Sequence, residues 1–240
     1  MTKRALITGA SGSLGSAIAR RLAVAGHHVI AHSNSNLTAA QASVEAIQAE
    51  GGSAQAVQFD VTDAQATLAA MESLLADGPI QIIVNNAGIH EDAVMPGMSL
   101  DQWHRVIDVS LHGFFHVTQP LLMPMIRTRW GRVVNISSVT ATTGNRGQTN
   151  YAAAKAGLHG ASKSLSLEVA SRGITVNVVT PGIIESEMAQ SAFGPEDIAR
   201  IVPMKRAGKP EEVAALVDFL CSDDAGYISG QVIGINGALA

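Results

Sequence analysis

At 240 residues the chain is long enough for one sizeable core, and its 47% hydrophobic residues, 4% aromatics and 23 glycines exclude disorder and predict aliphatic strands, alanine-rich helices and tight turns in a single domain. The formal charge of −4 comes from 20 acidic and 16 basic residues spread along the chain, so no basic tract marks nucleic acid or a membrane surface as a partner. Cys221 is the single cysteine, which excludes an internal disulfide and a multi-cysteine metal site and suits a reducing compartment. The apolar run near the start is too short for a signal peptide, and no stretch reaches the roughly 18–20 apolar residues of a membrane helix, so a cytoplasmic enzyme is expected.

The first predicted strand, RALIT (4–8), empties into TGASGSLG (8–15) and a helix over 14–25. Glycines at 9, 12 and 15, with Ser11, Ser13 and Leu14 between them, let a backbone approach a pyrophosphate, and the helix aims its positive end at the anion. The second strand (28–32) ends in AHSNSN (31–36) without the acid that would grip the ribose 2′-hydroxyl of NAD. Ser33, Asn34 and Ser35 offer hydrogen bonds instead, which favours NADPH over NAD, although no basic residue stands there to meet a 2′-phosphate.

Strands over 54–59, 80–86, 131–137, 174–180 and 231–236 alternate with helices over 38–50, 64–76, 100–128, 150–172 and 211–221. Several strands are apolar without alternation, as in a sheet covered on both faces, so the expected fold class is α/β: a doubly wound Rossmann fold with a mostly parallel seven-stranded sheet flanked by helices. The segment 182–209 carries Met188, Phe193, Ile198 and the prolines Pro195 and Pro203, with Pro210 directly after it, and follows the carboxyl end of a strand. Such a position suits a substrate lid.

On the helix over 150–172, Tyr151 and Lys155 lie four apart and share one face, so both can address one ligand. A neighbouring ammonium is expected to lower the phenol from its usual value near 10, fitting it for proton transfer. Ser138 follows the fifth strand, where strand ends present groups to ligands. His112 and His116 have the spacing of a helical metal pair, but no catalytic glutamate or third ligand accompanies them, and no metal is expected.

Taken in order, TGASGSLG, DV (60–61), NNAG (85–88), Ser138, YAAAK (151–155), PG (181–182) and NG (236–237) resemble the short-chain dehydrogenase/reductase family over nearly the whole chain. GNRGQTNYAAAKAGL (144–158), EVASRGITVNVVTPG (168–182) and YISGQVIGINGA (227–238) are most similar to its 3-oxoacyl-[acyl-carrier-protein] reductases. The resemblance implies that Tyr151 is the general acid, Lys155 its activator and ribose ligand, and Ser138 the hydroxyl that orients the substrate carbonyl. It places the adenosine half against Asp60, Val61, Asn86, Ala87 and Gly88, and the nicotinamide against Thr180, Pro181, Gly182, Ile183 and Ser186.

Asp60 has an alternative as a helix cap, and Asn85 and Asn86 as partners of turn backbone. Two positions depart from the family. Ser13 stands where a glycine is usual, with Gly12 where NADPH users often have arginine, and Ser110 replaces the asparagine that holds the water of a proton relay to the lysine. Arg129 and Arg172 match the residues that dock acyl carrier protein, and Arg146 stands where a small residue is more common. The resemblance also implies a homotetramer through the helices over 100–128 and 150–172. The expected activity is NADPH-dependent reduction of 3-oxoacyl thioesters on acyl carrier protein. The alternatives are a reductase of a small free ketone and a non-catalytic dinucleotide-binding regulator.

Overall fold

Strands apolar on both faces need cover on both sides, which crossover helices supply when neighbouring strands run parallel. The computed structural model describes residues 2–186 and 194–240. Its strands are β1 (Arg4–Ile7), β2 (His28–Ser33), β3 (Ser53–Gln58), β4 (Ile82–Asn85), β5 (Gly131–Ile136), β6 (Ile174–Pro181) and β7 (Val232–Ile235). They form one sheet in the order β3-β2-β1-β4-β5-β6-β7, and every pairing is parallel. The sheet is therefore wholly rather than mostly parallel, and its winding reverses between β1 and β4, where an open α/β sheet leaves a crevice at the carboxyl ends of its strands.

The helices are α1 (Ser13–Val24), α2 (Leu37–Ala49), α3 (Ala64–Leu75), α4 (Leu100–Ile107), α5 (Gly113–Thr128), α6 (Thr140–Thr143), α7 (Thr149–Val169), α8 (Pro195–Ile201) and α9 (Pro210–Cys221). Alternate strand residues divide between two cores. Ala5, Ile7, Val29 and Val84 pack with Ile18 and Leu22 of α1 and Val213 and Val217 of α9. Leu6, Ile30, Ile83 and Val133 pack on the other face with Met71 of α3 and Leu121 and Met125 of α5. Local chemistry fixes several helix starts: Asn36 caps α2, Asp63 caps α3, and Ser99 and Gln102 form a capping box on α4.

Three features differ from the expected element pattern. The helix over 100–128 is broken by a π turn at Asp108–His112, which carries Ser110 into the interior; such turns recur at functional sites. The segment 182–209 contains α8, with Pro195 in its first turn. The base of that segment is pinned by an Ile184–Gly208 bridge, with Glu185 N donating to Gly208 O and Gly208 N to Ile183 O. Met188 and Phe193, two of the apolar residues expected there, lie outside the described residues.

The tightest constraint is where α1 leaves β1. A Cβ on Gly15 would collide with the carbonyl oxygen of Gly9 and come within 2.8 Å of Ala10 Cα. We therefore expect Gly15→Ala to destabilise the protein by about 1–3 kcal/mol in denaturant unfolding, because backbone cannot yield as a flexible side chain would. An unchanged midpoint would contradict this packing.

Candidate active site

The loop after β1 is built around a left-handed glycine and four hydrogen bonds. Gly9 has φ +66°, a conformation that suits glycine. Thr8 Oγ1 accepts from the amides of Asn86 at 3.0 Å and Ala87 at 2.9 Å, while Asn86 Nδ2 donates to the carbonyls of Thr8 at 2.9 Å and Gly9 at 3.2 Å. The ends of β1 and β4 are thus fastened together. Gly12 N turns back on Gly9 O at 3.3 Å, and no side-chain oxygen caps the first amides of α1, so Ser13 and Leu14 open the helix without a side-chain acceptor. The Gly15 cradle and these open amides fit the pyrophosphate of a dinucleotide.

Several expected cofactor contacts sit differently. Ser33 is fully buried and its hydroxyl has no protein partner, so it turns inward; Asn34 and Ser35 are exposed. Ser33 is the last residue of β2, and because both faces of that strand are covered its side chain is enclosed. Asp60 accepts at 2.8 Å from both the amide and the hydroxyl of Thr62, and the helix cap nearby is Asp63. Val61 is buried, with its carbonyl on His116 Nδ1 at 2.8 Å. Asn86 lines the crevice while its amide group is spent on the loop backbone, the turn-stabilising alternative.

Two cavities adjoin at the carboxyl edge of the sheet. One of about 470 Å³ is lined by Ser13, Leu14, Asn86, Gly88, Lys155, Pro181 and Glu185. The other, of about 520 Å³, is lined by Asp92, Val139, Gln148, Ile183, Ile201 and Leu239. Ser138, Tyr151, Gly182, Ser186 and His90 border both. Gly182 allows β6 to approach β7 closely, since a Cβ there would lie 2.8 Å from Asn236 Cα.

Ser138 stands beside Tyr151 where the two cavities meet, and its Oγ accepts from Thr140 N at 3.2 Å. Lys155 is 3% exposed, and its Nζ donates to Ile136 O at 2.9 Å and lies 5.8 Å from the Tyr151 ring centroid. Ser110 is buried, and its hydroxyl has no partner among the described residues. A Cβ built on Gly88 would sit 2.8 Å from Lys155 Nζ and 3.6 Å from Ser110 Oγ, so the amine and the hydroxyl crowd the same side of this glycine.

Burial sets the titration of this group. It pushes the Lys155 ammonium down to about 8. Burial also raises the Tyr151 phenol above its ordinary value; the Ser138 hydroxyl opposes this and the Asp92 charge adds to it. The expected lowering of Tyr151 by Lys155 is therefore absent from the protein alone. Desolvation outweighs it, and the amine points at a backbone carbonyl rather than at the phenol oxygen.

Sequence reasoning missed His90, Asp92, Gln148, Thr8 and His32. Asp92 accepts from Gln148 Nε2 at 2.9 and 3.2 Å and pairs with His90 Nδ1 at 3.2 Å, beside the second cavity. Gln148 and Asn145 fall within the GNRGQTNYAAAKAGL match, which was the available signal for this wall. Elsewhere, Arg129 caps α5 and Arg172 ends the turn after α7, so both lie at the amino-terminal edge of the sheet, with Ser138 beyond the opposite end of β5. Arg146 is exposed on the turn before α7. His112 engages Asp108 at 2.8 Å and His116 the Val61 carbonyl, and among the described residues no group of three or more His, Cys, Asp or Glu is placed to hold a metal.

Residues 3–197 match the short chain dehydrogenase family. Over the whole of both chains, the protein is 42% identical to the 3-oxoacyl-[acyl-carrier-protein] reductase FabG of Aggregatibacter actinomycetemcomitans. It is 45% identical to the FabG of Aquifex aeolicus across 99% of this chain and 97% of that one. Similarity to nodulation protein G of Azospirillum brasilense is 42% across 99% and 98% of the two chains.

Removing the buried amine separates stability from chemistry. The folded lysine releases its proton near 8 and the unfolded one near 10.5, so wild-type stability rises with pH between those values. Lys155→Met should raise stability at pH 7 by up to about 3 kcal/mol, with the gain fading as pH approaches 10.5. Chemical denaturation across this range checks it; a loss of stability at pH 7 would contradict the desolvation account.

Proposed function

Because the chain belongs to the short-chain dehydrogenase family, we propose that it reduces 3-oxoacyl thioesters carried on acyl carrier protein to 3-hydroxyacyl thioesters in acyl-chain synthesis, with NADPH as reductant. The observation that carries this reading is the meeting of Ser138 and Tyr151 at the junction of two cavities, with the Lys155 amine buried beside them. The full-length similarity to FabG reductases supports the substrate class.

In this reading the dinucleotide lies in the cavity bordered by Ser13, Leu14, Asn86, Gly88, Lys155 and Pro181, with its phosphates on the amides that open α1. Gly9 and Gly15 leave room for the loop, and Ile183 and Ser186 border the nicotinamide end. Asn34 and Ser35 are the exposed groups available to a 2′-phosphate. The absence of an acid in AHSNSN supports NADPH over NADH. The bound nicotinamide supplies a hydride to the ketone carbon.

Ser138 donates to the substrate carbonyl and fixes its direction, while Tyr151 gives a proton to the oxygen as negative charge develops there. Holding the phenol above its ordinary value keeps that proton in place through neutral pH. Lys155, cationic below about 8, favours the phenolate left behind. Ser110 then serves proton return to Lys155, the role that its buried hydroxyl on the same side of Gly88 supports.

Arg129 and Arg172 form the carrier-docking surface in this proposal. They precede β5 and β6, about 20–30 Å along the strands from Ser138, so a carrier docked there serves the cavity of a neighbouring copy. A homotetramer assembled through α4, α5 and α7 fits this delivery, supported by the exposed Leu100, Phe115, Met123 and Leu167 on those helices. No helix among the described residues is long and apolar enough to cross a membrane, and residence in the cytoplasm accords with the substrate. Each copy is read as one dinucleotide-binding domain, with 182–209 as the substrate lid.

The test follows oxidation of NADPH and NADH with acetoacetyl-acyl carrier protein, its coenzyme A analogue and simple ketones. Turnover of the thioesters, with Tyr151→Phe and Ser138→Ala each lowering kcat at least about 100-fold at unchanged dinucleotide affinity, is the expected result. Turnover of free ketones alone would select the small-ketone alternative, and dinucleotide binding without any turnover would select the regulator. Charge reversal at Arg129 and Arg172 should weaken the carrier-bound substrate far more than the coenzyme A analogue; equal effects would refute docking there. Reduction should also decline as pH rises through about 8, where Lys155 loses its charge.

A further inference from the structure

β2 reads HVIAHS, and its His32, 1% exposed, is the ionisable side chain among the buried residues of that strand. The ring joins two segments that belong to different strands. Its Nε2 lies 2.8 Å from Phe59 O, and since a carbonyl can only accept, Nε2 carries the proton. Nδ1 therefore holds a lone pair, and it accepts from the amide of Gly9 at 3.2 Å. The His32 carbonyl accepts from Ala10 N at 2.8 Å, so two consecutive amides of the loop after β1 end on this one residue. Phe59 packs against the ring at 4.0 Å between centroids and leaves it little freedom to turn.

We infer that His32 is a positioning residue for the phosphate loop: as a neutral Nε2–H imidazole it holds Gly9 in the turn that a dinucleotide requires, and a proton added at Nδ1 releases that turn. A protonated Nδ1 would confront the Gly9 N–H, donor against donor. The loop could then keep its shape only by moving Gly9, whose carbonyl is held by Asn86 and lies against Gly15. Dinucleotide affinity consequently falls on acidification.

The surroundings favour the neutral ring. Burial lowers its proton affinity, while the Phe59 carbonyl and Asp60 oppose that effect less strongly. Asp60, after β3, is the charged group acting on the ring; residues 5–15, 33–41 and 53–59, which supply β1 and its loop, the start of α2 and β3, contain no Asp, Glu, Lys or Arg. The inference rests on the dinucleotide-binding reading, and its test is arranged so that the two can fail separately.

Calorimetric titration of the full-length protein with NAD⁺ from pH 8 to 5 is the primary measurement, because NAD⁺ lacks the 2′-phosphate whose own titration would complicate an NADP⁺ series. Wild-type affinity should fall about 5- to 10-fold across the acid limb, the effect of losing one backbone hydrogen bond. His32→Asn retains an acceptor for Gly9 that does not titrate, and should bind within about 3-fold of wild type at pH 8 with a flatter profile. His32→Phe should bind about 5- to 10-fold more weakly at pH 8 and show no acid limb. A flat wild-type profile, or wild-type affinity in His32→Phe, would overturn the inference. Nitrogen-15 spectra of the wild-type histidines read the tautomer without any variant: an Nε2–H imidazole at pH 7 supports the proposal, and an Nδ1–H or cationic ring refutes it. Failure of wild-type protein to bind either dinucleotide at any pH would instead overturn the functional reading.

Discussion

A lysine amine kept inside the protein is the constraint around which this site is organised. Lys155 has its amine on one backbone carbonyl, Ile136 O, and burial drives it toward the neutral form. A buried ammonium without a carboxylate partner is costly to a fold, and among the described residues Lys155 has no such partner beside the carboxyl-edge cavity that it lines. The neighbouring residues follow from it. A side chain at position 88 would crowd Nζ out of its present place, and the Ser137 hydroxyl anchors the Lys155 carbonyl at 2.9 Å, so that the helix carrying the amine is fixed to the strand end beneath it.

The start of the same helix is tied to the loop after β4. Asn150, fully buried, donates to Glu91 O and Gln102 O at 3.0 and 3.1 Å and accepts from Tyr151 N at 2.8 Å. Ala93 N bonds Gly147 O, and Gln148 bonds Asp92. Tyr151 is thus placed by backbone and amide contacts from both sides, while its phenol remains beside Ser138. The chemistry requires this division: the scaffold orients the phenol, and the surrounding low dielectric determines how readily it parts with a proton.

Much of this was legible in the sequence because the signals were periodic or ordered. Apolar runs of strand length located seven strands, and glycines at 9, 12 and 15 located the loop from β1 to α1. Direction was harder to read than position. Ser33 falls in a stretch that looks polar and accessible, yet the cover on both faces of β2 encloses it. Asn86 sits at the crevice, but its amide is committed to Thr8 and Gly9. His32 gave no motif at all, since its role depends on Gly9 and Phe59 meeting across neighbouring strands. The raised phenol shows the same limit: four-residue spacing brings Tyr151 and Lys155 to one face, but only three-dimensional burial decides which effect governs their protons.

The central claim is that desolvation, rather than mutual attraction, sets the titration of the Tyr151–Lys155 pair before a dinucleotide binds. The most direct measurement is carbon-13 NMR of selectively labelled lysine Cε and tyrosine Cζ in the dinucleotide-free protein, with Lys155→Met and Tyr151→Phe used for assignment. The account predicts that Lys155 titrates near 8 and that Tyr151 keeps its proton beyond the ordinary phenol value of about 10. A lysine titrating at its ordinary value of about 10.5 together with a tyrosine lowered toward neutrality would contradict it.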